Sequence, residues 1–263
     1  MSRGRGARAD GAGPAGRVPR GLRAALLAAG LLVGLTPVAW AQFGRGVRVE
    51  PNAPYDGRFT FVRLRYTNAG RGGWAFDYPA MERNFMTVLN DLSTVHPHVR
   101  ESNVLVLDDP TLFRYPVAYL SEPGYWMPDA QEARGLGTWL RKGGFLIVDD
   151  FFGRQWEQFT VAMRAVLPEG RLVRLEASHP VFHAFFDIRS LDGMHHPQNP
   201  SYRAEYYGIF EDGDPRKRLM VVVNYNNDIG DYMEWTGQGW YPVNFTNDAY
   251  KFATNYLVYG LTR

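Results

Sequence analysis

The 263 residues include no cysteine. That absence excludes disulfides, thiolate-held metals, iron–sulfur clusters and any cysteine nucleophile. It leaves the compartment open, because a domain of about 200 residues buries a sufficient core without disulfide staples. Charge of one sign is also scarce. Over the whole chain 29 Lys and Arg face 27 Asp and Glu, but six of the bases and only one acid fall in the first 41 residues. Residues 42 to 263 therefore carry 23 bases against 26 acids, a net charge near −3. Arg216-Lys217-Arg218 is the one basic cluster there, too little to replace many phosphate counterions, so nucleic acid is not expected as a partner. The chain has no Walker motif and no Gly-x-Ser-x-Gly around Ser121, while Gly135-x-Gly137 follows no strand and is no dinucleotide fingerprint.

Long apolar runs are missing except near the start. An Arg- and Gly-rich lead is followed by an uncharged stretch from Ala24, then Pro37 and the small-x-small triplet Ala39-Trp40-Ala41. This pattern predicts an export signal over residues 1–41, cleaved between Ala41 and Gln42, and hence a periplasmic or secreted protein. The alternative is an uncleaved N-terminal membrane anchor, since Ala24–Ala41 is 18 residues long, near the lower limit for spanning a bilayer. Breakers at Gly44, Gly46, Pro51, Pro54 and Gly57 mark residues 42–57 as a linker, and residues 58–263 read as one domain.

Within that domain, short apolar runs alternate with helical periodicity. Strands are expected at 59–66, 102–109, 117–124 and 143–150, and later near 206–210 and 219–225. One helix starts near Asp77 and Pro79 and buries Met81, Phe85, Val88, Leu89 and Leu92. A second opens at Asp129 with Glu132 at capping-box spacing and ends at Gly143-Gly144. A third carries Trp156, Phe159, Met163 and Val166 inward, and a last one runs from about Asn247 to Leu261. Strand–helix alternation predicts a three-layer α/β fold with an open, mainly parallel sheet, in which ligands bind beyond the carboxyl ends of the strands.

The candidate site follows from that rule. Tyr66, Asp108, Asp109, Glu122, Asp149 and Asp150 fall at strand ends. Asp149 and Asp150 are the candidate catalytic pair, because neighbouring carboxylates can split their pKa values and serve as nucleophile, base or ligand. The competing reading makes at least one of them the cap of the following helix. Both are expected to face the crevice and to matter little for stability. Arg65, Tyr66, Gly72, Gly73, Trp74 and Glu122 are assigned to ligand binding, with the glycines offering backbone N–H groups and Arg65 and Glu122 opposite charges. His195 and His196 join this set. They read either as exposed loop residues or, with Asp149 or Asp150, as a His/carboxylate site. His179 and His183 read as a turn and a core histidine, because Pro180 removes their shared helical face. The sequence commits to no metal site and names no cofactor. Aromatic side chains in loops, among them Trp74, Trp126, Tyr206, Tyr232 and Trp240, suit sugar faces or a protein partner.

Several motifs in order carry a family resemblance: RYTNAGRGGW, YLSEPGYW, LRKGGFLIVDDFFG, SHPVFHAFFDI, VVVNYNNDIGDY and YKFATNYLVYGLTR. From Arg65 nearly to the end the chain resembles the bacterial domain of unknown function 4159 family. That family looks like a branch of the class I glutamine amidotransferase-like fold, and HPVFHAFF is similar to a segment of its trehalose-utilisation branch. The resemblance implies a flavodoxin/amidotransferase-like architecture and places the turn that carries the amidotransferase cysteine at Asp149–Phe151. Lacking cysteine, the chain has no thiol glutaminase chemistry. The leading reading is a ligand- or partner-binding module of the cell envelope, whose partner is a membrane-anchored envelope protein or a small carbohydrate-like ligand. The alternative is a hydrolase-type enzyme acting on a carbohydrate- or peptide-like envelope substrate through the Asp149/Asp150 crevice.

Overall fold

The computed structural model describes residues 47–68 and 73–263, and the fold is the unit Arg48–Arg263. The expected signal segment 1–41, the first part of the linker, and Gly72 lie outside the described residues. A seven-stranded sheet runs in the order β2-β1-β3-β4-β9-β8-β5. Its five parallel strands are β1 (Val62–Arg65), β2 (Asn103–Val106), β3 (Val117–Ser121), β4 (Phe145–Asp149) and β9 (Leu219–Tyr225). Two antiparallel strands, β8 (Glu205–Phe210) and β5 (Val173–Arg174), complete one edge. The expected three-layer α/β architecture with a mainly parallel sheet is what the chain adopts.

Period-two burial explains the layers. In β3 and β4, Val117, Tyr119, Phe145 and Ile147 enter one core, and Ala118, Leu120, Leu146 and Val148 the other. Both faces must then be covered by helices. The first core is closed by α1 (Ala80–Leu92) and the long C-terminal helix α5 (Val243–Thr262), the second by α2 (Ala130–Arg141) and α3 (Gln155–Val166). The capping box of α2 forms as its sequence predicts: Asp129 accepts from the Gln131 and Glu132 N–H groups, and Glu132 returns to the Asp129 N–H. Gly135 has to be glycine, since a Cβ there would sit 2.6 Å from the Asp108 Cα.

Four departures from the sequence reading have physical causes. Asp77 does not cap α1 through its side chain, because its left-handed backbone turns the carboxylate into the protein. The helix α5 begins at Val243, four residues before the expected start, because Pro242 is tolerated at a helix opening. In α1, Met86 is buried in place of Leu92, which is exposed. A short helix, α4 (Ile229–Glu234), follows β9 where no helix was expected. At the sheet edge, Asn52 exchanges two hydrogen bonds with the Val104 backbone and the Ala53 N–H donates to Asn103 Oδ1. This part of the expected linker covers the free edge of β2. Among the described residues no helix is long and apolar enough to cross a membrane.

Candidate functional site

Strained backbone recurs in the connections that follow the central parallel strands. Asp77 lies in the connection after β1, Glu122 follows β3, Asp150 follows β4 and Asn226 follows β9, all with left-handed φ (63°, 48°, 65° and 57°). These are four of the six non-glycine residues with such a backbone among the described residues, and Asp and Asn tolerate it better than Glu. The turns are tied together. The Glu122 N–H donates to the Asp149 carbonyl, the Asn226 N–H to the Phe151 carbonyl, and the Gly153 N–H to Asn226 Oδ1.

Asp149 and Asp150 have different roles because consecutive residues point to opposite places. Asp149 is fully buried and accepts from the Tyr119 hydroxyl (2.8 Å), Asn224 Nδ2 (3.0 Å) and the Gly230 N–H (3.0 Å). Burial raises its pKa, and those three donors restrain the rise. It is a buried tie between β3, β4, β9 and α4, contrary to the expected crevice-facing residue. Neither carboxylate caps α3, whose N-cap is Arg154 with no side-chain capping bond. Asp150 stands at the tip of the turn, accepts from Ser121 Oγ at 3.0 Å, and has its pKa raised well above the ordinary range by burial and then by Glu122.

The histidines are corrected too. His195 and His196 are not an exposed loop but form β6, paired with β7 (Asn199–Arg203) in a separate two-stranded sheet. His195 is half-buried and faces Phe245, while His196 is buried and packs at a tilt against Phe152. His196 Nε2 lies 3.9 Å from Asp150 Oδ1, beyond hydrogen-bond reach, and has no hydrogen-bond partner. Burial pushes the imidazole down to about 4, so it is neutral. Its other nitrogen accepts a long bond, 3.3 Å, from the Gln198 N–H.

Glu122 is half-buried, with Oε2 accepting from the Gly73 N–H at 2.6 Å, and burial moves its pKa up to about 7. The Tyr66 hydroxyl donates to the Ser121 and Glu122 carbonyls, so Tyr66 braces the turn. Arg65 is exposed at the end of β1, and the buried cation is Arg63. Arg63 pairs with Glu82 and donates to the Trp74 and Phe76 carbonyls, and its guanidinium lies over the Tyr119 ring. Trp74 thus serves through its backbone. Trp126, Tyr206 and Tyr232, expected to offer rings to a ligand, are core residues, whereas Trp240 is exposed. His179 caps the Pro180–Phe182 turn as expected, but His183 is partly exposed and pairs with Asp187 instead of entering the core.

Asp228, Asp231 and the buried Asp77 join this cluster of acids and were not assigned to the site from the sequence. Asp228 Oδ1 accepts from the Asp231 N–H, and Tyr241 donates to Asp231 Oδ2. Gly230 is the point of approach: a Cβ there would lie 2.5 Å from Asp77 Oδ2, 2.9 Å from the Tyr119 hydroxyl and 3.3 Å from Asp228 Oδ1. The available signal was the acid and glycine spacing of Asn227-Asp228-Ile229-Gly230-Asp231 directly after an apolar strand. Two triads place ligand-capable atoms within 4.8 Å of one another, Asp150–His196–Asp228 and Asp77–Asp231–Glu234. A separate apolar groove between α1, the loop after α4 and α5 contains none of these acids. Compared with known families, residues 60–261 match the model described as Domain of unknown function (DUF4159). No curated protein matches the chain.

Proposed function

The chain belongs to the DUF4159 family, and from that premise we propose that it is an exported, amidotransferase-like hydrolase acting on a carbohydrate- or peptide-like envelope substrate. The observation that carries this reading is the clustering at the strand ends of Asp150, His196 and Asp228, with Glu122 close enough to act on the Asp150 carboxyl. Asp150 occupies a strained strand-to-helix tip of the kind that presents nucleophiles, with left-handed φ paid for by the tied turns around it. Without cysteine that tip cannot attack as a thiolate, and the step we assign to it is direct attack by water in place of attack by the Asp150 carboxylate. Asp150, oriented by Ser121, holds the attacking water. Glu122, with a pKa of about 7, takes one proton from that water and returns it to the leaving oxygen or nitrogen as the bond to the substrate carbon breaks. The envelope setting rests on the leader sequence, and nucleic acid is no part of it.

Purified full-length protein tested on peptidoglycan and on neutral polysaccharide should release amino or reducing groups. Asp150→Asn and Glu122→Gln should each lower the rate by about 100-fold or more, with melting temperatures that stay near or above wild type. The wild-type rate should rise through pH about 7, and Glu122→Gln should remove that limb. No turnover on either polymer, or both variants at the wild-type rate, refutes the hydrolase and returns the crevice to a binding role.

A further inference from the structure

We propose that Asp150, His196 and Asp228 bind one divalent cation of the zinc or manganese type. The proposal deepens the hydrolase reading, since the ion would sit where Asp150 holds water, yet it stands on separate observations. A cluster of acids alone would not justify it, because protons can neutralise buried carboxylates. The imidazole supplies the independent evidence. His196 is only 1% exposed, its Nε2 has no hydrogen-bond partner, and it points toward Asp150 at 3.9 Å. A nitrogen buried at a cost of about 1–3 kcal/mol if left unsatisfied needs something between it and the carboxylate. The gap is too long for a hydrogen bond and suits two ligand atoms facing one ion.

The donor set decides the chemistry. Two carboxylates and one imidazole match borderline divalent ions better than calcium or magnesium, which prefer oxygen alone. Asp150 arrives oriented by Ser121, and Asp228 is held by its bond from the Asp231 N–H. To ligate through Nε2 the neutral imidazole carries its proton on Nδ1, which gives up the 3.3 Å bond it accepts there from the Gln198 N–H. Near the crevice the buried cation Arg63 is committed to Glu82 and to two carbonyls. The second triad, Asp77–Asp231–Glu234, has no imidazole, and Asp231 there already accepts from Tyr241. The ion is therefore assigned to the first triad.

The test is titration of chelator-stripped full-length protein with zinc or manganese salts by calorimetry, with bound metal counted by elemental analysis. One equivalent should bind and raise the melting temperature. Asp228→Asn and His196→Gln should each weaken binding by about tenfold or more, while Glu234→Gln should still bind one equivalent. No uptake by folded wild-type protein, unchanged affinity in both ligand variants, or loss of binding only in Glu234→Gln would overturn the assignment. The two readings fail separately. Hydrolysis that persists in chelator without bound metal removes the ion and leaves the hydrolase, whereas an ion bound at this triad without turnover does the reverse.

Discussion

Replacing Asp149 by asparagine tests whether the first residue of the aspartate pair is structural. The carboxylate accepts three hydrogen bonds, two of them on Oδ2, from groups with no access to water. An amide has one accepting atom. If its oxygen keeps the bond from Asn224, its NH2 meets the Tyr119 hydroxyl and the Gly230 N–H, both of which donate. Each buried donor left unsatisfied costs about 1–3 kcal/mol, and the Tyr119 hydroxyl recovers part of its share by rotating. A loss of about 3 kcal/mol follows, or about 6–12 °C in melting temperature for a domain of this size. Asp150→Asn should behave oppositely. Asp150 accepts only from Ser121, and its charge is opposed by Glu122, so its neutral variant should change stability by less than about 1 kcal/mol or gain slightly. Thermal and urea unfolding of the two variants read this contrast. An Asp149→Asn protein melting within about 2 °C of wild type, or an equal loss in both variants, refutes the division of roles.

Glu82→Gln, which leaves the fully buried Arg63 without its counter-charge, should cost about 3–5 kcal/mol in urea unfolding, and a loss below about 1 kcal/mol would contradict the pairing. Metal-free protein should lose stability as pH rises from 4.5 to about 7. Over that window the raised Asp77, Asp150 and Asp228 outweigh the opposite effect of His196, which is neutral when folded and gains a proton when unfolded. The native state holds more protons also through Glu122 and Glu234, which stay protonated when folded and ionise when unfolded. Discounted for their half-buried positions, the two give about 1–2 kcal/mol, and a melting temperature that is flat or rising across this range refutes it. Protein from its native host should begin at Gln42 by mass spectrometry, and retention of Met1 or Ser2 refutes cleavage.

The parallel half of the fold was legible because its signals are local. Four apolar residues ending in Asp149-Asp150 read as β4, and Asp129 with Glu132 read as the start of α2. The site was legible only where it lay on those elements. Asp150 and Glu122 were found because they end strands, whereas Asp77 marked a helix start and Asp228 drew no assignment. Gly230 lets α4 approach Asp77 and β3 closely, and no periodicity reports a contact across about 150 residues of chain. Arg65 was chosen because it stands at a strand end; Arg63 lies on the same face of β1, and its burial is set by packing that the sequence does not report. His196 looked exposed because a two-residue strand has no sequence signature.

The cost of this arrangement bears on its purpose. Asp77, Asp150 and Asp228 are buried, each with its pKa raised well above the ordinary range by burial and then by the other acids. Asp77, Glu122 and Asp150 additionally hold left-handed backbones. A sequence under pressure for stability alone would replace these with neutral residues, since isolated buried charges are rarely retained for folding. Asp149 shows what a structural acid looks like here: both oxygens are filled by donors, and its neighbours require its charge. Asp150 and Asp77 lack that satisfaction, and Asp77 Oδ2 has no partner. Unsatisfied acids kept near a satisfied one at the same end of the sheet mark binding energy held back from folding for an occupant. The unpartnered His196 nitrogen gives that occupant a positive charge and a site, because once the ring proton stands on Nδ1 a cation can take a lone pair from the imidazole and from each of the two carboxylates beside it.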